Sequence, residues 1–264
     1  MAALQAVLFD FDDTLSGELV SFEKALLTVF HSLLSDRRLE FEPVRDRVFD
    51  LCRKEWRCSA HWRKSYSLSV GWSEIFSGGF VSGEAGRQLE AESERIRPLI
   101  WRRVLLENGI SDEPLLARLC KASQEEATGQ HSPYPGAHES VKELAKRYPL
   151  ALVTNGNPDI QRRKLTRSGL EEFFTCVVVS GDVGVQAPKP DPAPFRHALS
   201  EIEVDAANAV MIGNDVVNDI HGAANLGMKT VWVNLEMAAF DGPRQPDHEI
   251  SNLKQLPSVI YSLA

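Results

Sequence analysis

The sequence predicts an α/β protein: a doubly wound, parallel-sheet (Rossmann-like) core with an inserted helical module. Three observations predict it. Short, wholly apolar runs look like strands buried on both faces, as in a parallel sheet. Amphipathic helical segments separate the last four of these runs, the alternation of a doubly wound sheet. Between the first run and the second lies a long stretch with helical periodicity, many charges and no such run.

The apolar runs are Ala6-Val7-Leu8-Phe9, Leu150-Ala151-Leu152-Val153, Val177-Val178-Val179, Ala209-Val210-Met211-Ile212 and Thr230-Val231-Trp232-Val233. From Ala137 to Tyr148, Val141, Leu144, Ala145 and Tyr148 share one helical face. Asn157-Pro158 and Asp191-Pro192 each read as a capping residue followed by proline at the first helical position. Gly169 and Gly227 stand where helices should stop. Glu236 to Pro246 reads as a loop, His248 to Ser251 as a last short strand, and Leu253 to Leu263 as a closing helix. Within the stretch from about Ser16 to Gln130, Phe22, Leu26, Val29, Phe30 and Leu33 form one helical stripe. Arg87 to Leu106 reads as another helix, with Pro98 expected to kink or restart it. The stretch holds 17 Lys/Arg and 18 Asp/Glu, a net charge of −1, so the remainder of the chain carries −7 of the total −8. The expected division is therefore 1–15 with 131–264 as the α/β core and 16–130 as the inserted module. Ser16-Gly17 and Gln130-His131-Ser132-Pro133 would be its hinges.

A length of 264 residues, 43% apolar, suits an ordinary soluble globular protein with a real core. The net charge of −8 speaks against a general nucleic-acid binder or a membrane-surface role. Cys52, Cys58, Cys120 and Cys176 form no C-x-x-C pair and no disulfide scaffold, which points to a reducing compartment. No apolar run has the length of a membrane span, and the N-terminus lacks signal-peptide features. A cytoplasmic location is expected.

The residues suited to chemistry stand at the ends of the apolar runs. Asp10-Phe11-Asp12-Asp13-Thr14 comes directly after the first. Ligands bind beyond the carboxyl ends of strands in open α/β sheets, so these acids point into the default crevice. Two carboxylates two residues apart divide labour well: one attacks phosphorus, the other protonates the leaving oxygen and later activates water. An acidic turn that merely caps a helix is the plain alternative. Thr154-Asn155-Gly156 offers a hydroxyl and successive backbone N–H groups to phosphoryl oxygens; alone it is a simple turn. Lys189, in the proline-stiffened Ala187-Pro188-Lys189-Pro190-Asp191-Pro192, suits charge neutralisation or mere solvation. Gly213-Asn214-Asp215-Val216-Val217-Asn218-Asp219 supplies oxygen ligands for Mg²⁺, or another cap. Four plain readings, all at strand ends with compatible chemistry, are a poorer account than one phosphoryl-transfer site.

Asp10-x-Asp12-x-Thr14, Thr154, Lys189 and the Gly213 to Asp219 segment, in this order, resemble the motifs of the haloacid dehalogenase superfamily of phosphotransfer enzymes. The insert resembles the cap of the branch that carries it between the first and second motifs. Tyr134-Pro135-Gly136, Lys189-Pro190-Asp191-Pro192 and Asp219-Ile220-His221-Gly222-Ala223 are similar to the pyrimidine nucleotidases and N-acylneuraminate-9-phosphate phosphatases of that branch.

The resemblance implies that Asp10 attacks the phosphoryl group to form an aspartyl-phosphate, with Asp12 as acid and then base. It implies that Thr154, with the backbone at Phe11 and Asn155, holds the phosphoryl oxygens, while Lys189 offsets the charge. It also implies Mg²⁺ on the Asp10 carboxylate, the Asp12 carbonyl and a fourth-motif side chain, with Asp219 steadying Lys189 or metal-bound water. The chain departs from the family at Asn214, where an aspartate is usual: either Asn214 coordinates through its amide or the loop shifts to present Asp215. Gln186-Ala187-Pro188 lengthens the loop before Lys189, which is still expected to reach.

The expected partner is a small phosphorylated metabolite, neither a nucleic acid polymer nor a membrane. Substrate choice is expected in the insert. There, the basic, tryptophan-bearing stretch from Arg53 to Lys64 would grip an anionic or aromatic leaving group, or else pack inward. Rival readings are a dehalogenase, which Asp12 opposes, a phosphomutase, and a phosphate-binding regulator without catalysis. No G-x-G-x-x-G follows the first strand, which opposes a dinucleotide enzyme.

Overall fold

A computed structural model describes residues 3–62, 70–129, 131–182, 184–185 and 187–263. The apolar runs form strands β1 (Ala6–Phe9), β2 (Leu150–Thr154), β3 (Cys176–Val179), β4 (Ala209–Gly213) and β5 (Lys229–Val233), joined at one edge by β6 (His248–Ile250). They make one sheet in the order β3-β2-β1-β4-β5-β6, every pair parallel. The strand order reverses at β1, so its carboxyl end opens at the switch point between β2 and β4, where doubly wound sheets bind ligands.

Both sheet faces are covered, which is why the inner strands β1, β2 and β4 are apolar along nearly their whole length rather than at alternate positions. Val7, Phe9, Leu150, Leu152, Val210 and Ile212 pack against Val141 and Leu144 of α6 (Ala137–Ala145) and Ile260 of α9 (Leu256–Leu263). Ala6, Leu8, Ala151, Val153 and Met211 face the other way, onto Phe195 and Ala198 of α8 (Pro192–Glu201). Helix α7 (Pro158–Ser168) starts as the sequence predicts: the Asn157 side chain accepts from Asp159 N and Ile160 N, Pro158 follows, and Gly169 ends it in the left-handed conformation at φ 70°. The helix expected from Ala137 ends at Ala145, three residues short of Tyr148.

Between β1 and β2 lie α1 (Glu18–Leu33), α2 (Phe41–Cys58), α3 (Trp72–Ser77), α4 (Gly83–Glu107) and α5 (Glu113–Gly129). They bury an apolar cluster of their own, including Phe22, Leu26, Phe30, Val48, Trp56, Phe76 and Trp101, with Ile160 joining it from α7. Helix α4 runs unbroken through Pro98. The chain leaves and re-enters the sheet layer side by side: Ser16 bridges to Pro133, Ser16 Oγ donates to Ser132 O at 3.2 Å, and Tyr134 N donates to Leu15 O at 2.8 Å. Gln130, expected in that hinge, lies outside the described residues.

Candidate active site

At the end of β1 the sheet pairing continues one residue further, Asp10 N donating to Ile212 O at 2.9 Å. The chain then folds tightly. The Phe11 carbonyl accepts from Thr14 N, Leu15 N and Ser16 N, and Asp13 takes a left-handed conformation at φ 56°. The Phe11 ring is fully buried in the core. This turn puts the Asp10 carboxylate beside Thr14, whose hydroxyl donates to Asp10 Oδ2 at 2.9 Å.

Lys189 reaches the same carboxylate from the other side of the sheet switch. Its Nζ lies 2.7 Å from each of Asp10 Oδ1, Asp219 Oδ1 and the Val153 carbonyl. The side chain is almost wholly buried. Burial works against its charge, yet Asp10 and Asp219 outweigh it and raise the ammonium above its ordinary value. What carries the longer loop home is Asn155: its Oδ1 accepts from Lys189 N at 2.8 Å and its Nδ2 donates to Lys189 O at 3.1 Å. Thus Asn155 has a side-chain task beyond the backbone role expected of it. Thr154 closes β2, 1% exposed, with its hydroxyl near the Asn155 carbonyl at 3.4 Å.

The fourth segment divides its two neighbouring candidates. Asn214 turns to the site: its N–H donates to Thr14 Oγ1 at 3.0 Å, and its Oδ1 lies 3.1 Å from the same hydroxyl. Asp215 is committed elsewhere. Its Oδ1 accepts from Val217 N and Asn218 N, and its Oδ2 from Asn218 Nδ2, each at 2.8 Å, capping the π-helical turn Val216–His221. Asp219 Oδ2 accepts from Asp215 N at 3.0 Å while Oδ1 faces Lys189.

A cleft of about 240 Å³ is lined by Asp10, Asp12, Thr154, Asn155, Lys189, Asn214, Asp215 and Asp219, together with Asp13, Glu18 and Asn218. The predicted Asp10, Asp12, Thr154, Asn155, Lys189, Asn214, Asp215 and Asp219 therefore share one cavity, whereas Phe11, Thr14 and Gly156 do not line it. Among the described residues no three His, Cys, Asp or Glu side chains converge as a ready-made metal cage. The donor set here is instead one carboxylate oxygen and one amide oxygen, Asp10 Oδ2 and Asn214 Oδ1, gathered on one Thr14 hydroxyl. Few protein ligands, all of them oxygen, fit a hard cation such as Mg²⁺ that keeps waters and phosphate oxygens in its shell.

Sequence reasoning missed Gln161 and Lys164. Both reach Asp12 from α7: Gln161 Nε2 donates to Asp12 Oδ2 at 2.7 Å, and Lys164 Nζ lies 3.1 and 3.0 Å from the two carboxylate oxygens. Their i, i+3 spacing on a helix that starts just past Thr154 was a signal, since such residues share one face. In the stretch from Arg53 to Trp62 the tryptophans turn inward, while Arg53, Lys54 and Arg57 stay exposed. Trp56 is 1% exposed and Trp62 meets it edge-on, while the Arg53 guanidinium lies over the Trp72 ring at 5.0 Å. Arg63 and Lys64 lie outside the described residues.

The parallel sheet thus opens at its switch point onto an Asp10–Lys189–Asp219 cluster. A family model of haloacid dehalogenase-like hydrolases matches residues 82–233, and the chain belongs to that family. Human N-acylneuraminate-9-phosphatase is 25% identical over 278 residues, covering 100% of this chain and 96% of that protein. Phosphoserine phosphatase of Thermus thermophilus is 39% identical over 124 residues, 47% of this chain. The chain spans about half the length of that relative, 49%, and 41% of the glyceraldehyde 3-phosphate phosphatase of Pyrococcus abyssi. Among solved structures, the magnesium-bound hydrolase YfnB of Bacillus subtilis shares the fold at a TM-score of 0.63 and 22% identity, covering 98% of this chain and 99% of that one. Among the described residues no helix is long and apolar enough to cross a membrane.

Proposed function

We propose that this chain is a Mg²⁺-dependent phosphatase of a small phosphorylated metabolite, of the nucleotide or sugar phosphate class, working through an aspartyl-phosphate. Residues 1–15 and 131–264 form its catalytic core and 16–130 a cap. One observation carries the reading: a buried ammonium fixed between Asp10 and Asp219, with a second aspartate on the same turn opening into the same cleft.

In the first half-reaction a carboxylate oxygen of Asp10 bonds to phosphorus while the bond to the leaving oxygen breaks, and Asp12 gives that oxygen a proton. In the second, water bonds to phosphorus, its proton passes to Asp12, and the Asp10–phosphorus bond breaks. Lys189 balances negative charge at Asp10 throughout, and the Thr154 hydroxyl with the backbone at Phe11 and Asn155 receives the phosphoryl oxygens. Asp10 and Asn214, with the Asp12 carbonyl, would hold Mg²⁺, which when bound supplies charge neutralisation to the phosphoryl group. The phosphatase names of the relatives support this reading, and so does Asp12, which a halide leaving group does not require.

Phosphate release from a panel of nucleotides, sugar phosphates and phospho-acids tests the proposal, with halide release from 2-haloacids measured alongside. Turnover is expected to need Mg²⁺ and to vanish in Asp10→Asn. Asp12→Asn is expected to lose about 10²–10⁴-fold, the usual contribution of general acid–base catalysis. Phosphate release that persists in Asp10→Asn would end the proposal.

A further inference from the structure

Asp12 is gripped from behind. Lys164 Nζ, which contacts both Asp12 oxygens, also donates to Glu74 Oε1 at 2.9 Å. Glu74 belongs to α3, and its Oε2 is held in turn by Gly71 N at 2.9 Å. One ammonium thus ties the β1 turn to the 16–130 module, over a separation of 90 residues between Lys164 and Glu74. Gln161, one helical turn before Lys164, is anchored to the Asn155 carbonyl at 2.8 Å and so joins the grip on Asp12 to the Thr154-Asn155 turn.

This cluster is costly as mere packing. Lys164 is 3% exposed, Gln161 2% and Glu74 5%. Taking such charges out of water costs several kcal/mol per ion, and apolar residues of similar volume often serve stability as well or better. Burial opposes the Lys164 charge, yet Asp12, Glu18 and Glu74 outweigh it and hold the amine protonated, well above its ordinary value. The Asp12 side chain keeps 22% of its surface exposed and lines the cleft, which Lys164 and Gln161 do not.

We propose that Lys164 is a positioning residue for the phosphoryl-transfer site: it fixes the Asp12 carboxylate and, through Glu74, makes that orientation depend on the module being seated on the core. The inference rests on the reading of Asp12 as the acid/base group. Proton donation to a departing oxygen demands correct aim, and a misplacement of 1 Å costs about 10²-fold. A seated module completes the grip; a displaced one leaves Lys164 without its second carboxylate and the acid without a fixed direction.

The test is the leaving-group dependence of kcat/KM, which reports the steps up to departure of the leaving group. Glycerol phosphate needs a proton on its leaving oxygen, whereas 2,4-dinitrophenyl phosphate departs as a stable anion. Lys164→Met is expected to lower kcat/KM about 10²-fold for the former and no more than about threefold for the latter, where no proton transfer is needed. In an Asp12→Asn background the same substitution should change neither substrate by more than about twofold, because residues acting as one unit are not additive. Glu74→Gln should show the same selectivity at smaller size. Lys164→Arg keeps the charge that the buried carboxylates require while moving the donor atoms, so it reads the selectivity even if Lys164→Met does not fold. Equal losses on both substrates, or full additivity with Asp12→Asn, would overturn the positioning role. Unaltered selectivity in Glu74→Gln would overturn the link to the module. Normal kcat/KM for glycerol phosphate in Asp12→Asn alone would instead remove the acid/base assignment itself.

Discussion

Gly213→Ala should do more damage than any ordinary methyl addition. Gly213 ends β4, and a Cβ there would lie 2.2 Å from Asp219 Oδ2, 2.4 Å from its Cγ and 2.5 Å from its Cβ. Carbon atoms settle at about 3.5–4.0 Å, so Asp219 must retreat by about 1 Å. Rotating its side chain does not help, because its Cβ is itself in collision. Retreat breaks the 2.7 Å contact with Lys189 and the 3.0 Å bond from Asp215 N. Lys189 keeps Asp10 and the Val153 carbonyl, so the cost belongs near the lower end of the 3–5 kcal/mol typical of a broken buried pair, about 3 kcal/mol. Urea unfolding measures it as a fall in midpoint at unchanged slope, and phosphate release should fall with it as Lys189 loses its second anchor. Asp219→Gly removes all three colliding atoms, so adding Gly213→Ala to that variant should cost little further. By contrast, alanine at Gly169, which has open space around it at φ 70°, should meet only backbone strain, about 1–2 kcal/mol. A Gly213→Ala protein within about 1 kcal/mol of the parent, or full additivity with Asp219→Gly, would refute this reasoning.

The same geometry sets two further outcomes. Asp215→Ala should cost about 1 kcal/mol as a lost helix cap and leave the Mg²⁺ titration of activity unchanged, since both its oxygens serve its own turn; a marked rise in the half-saturating Mg²⁺ concentration would make Asp215 a ligand after all. Glu18 stands beside Glu74, Asp12 and Lys164: burial first raises its carboxyl, Lys164 pulls it down, Glu74 and Asp12 push it up again, and it comes to about 7. Its folded value lies above the unfolded one, so the associated stability is present in full below the ordinary glutamate pKa and is lost as pH rises through about 7. Glu18→Gln, which mimics the protonated acid, should therefore gain thermal stability over the parent between pH 5 and pH 8; parallel melting curves across that range would contradict it.

The inner strands were legible because burial on both sheet faces leaves an apolar signature, and the candidate site because acids follow the ends of β1 and β4 and a hydroxyl closes β2. Asn157-Pro158 and Gly169 marked α7 just as plainly, since capping and left-handed backbone are local physics. Lys164 and Gln161 were not read as site residues, because a lysine on a helix face is ordinarily solvated and nothing local says that a carboxylate 152 residues away meets it.

By itself, then, the sequence determined the parallel α/β architecture, the place of the helical insert and which residue types stand at the strand ends, all of which arise from short-range patterning. Only the tertiary structure set Asn214 against the Thr14 hydroxyl and Asp215 against its own turn, gave Asn155 its grip on Lys189, and set one buried ammonium between Asp12 and Glu74. Those outcomes depend on which hydrogen bonds remain to be satisfied once distant segments meet, and no local pattern encodes that.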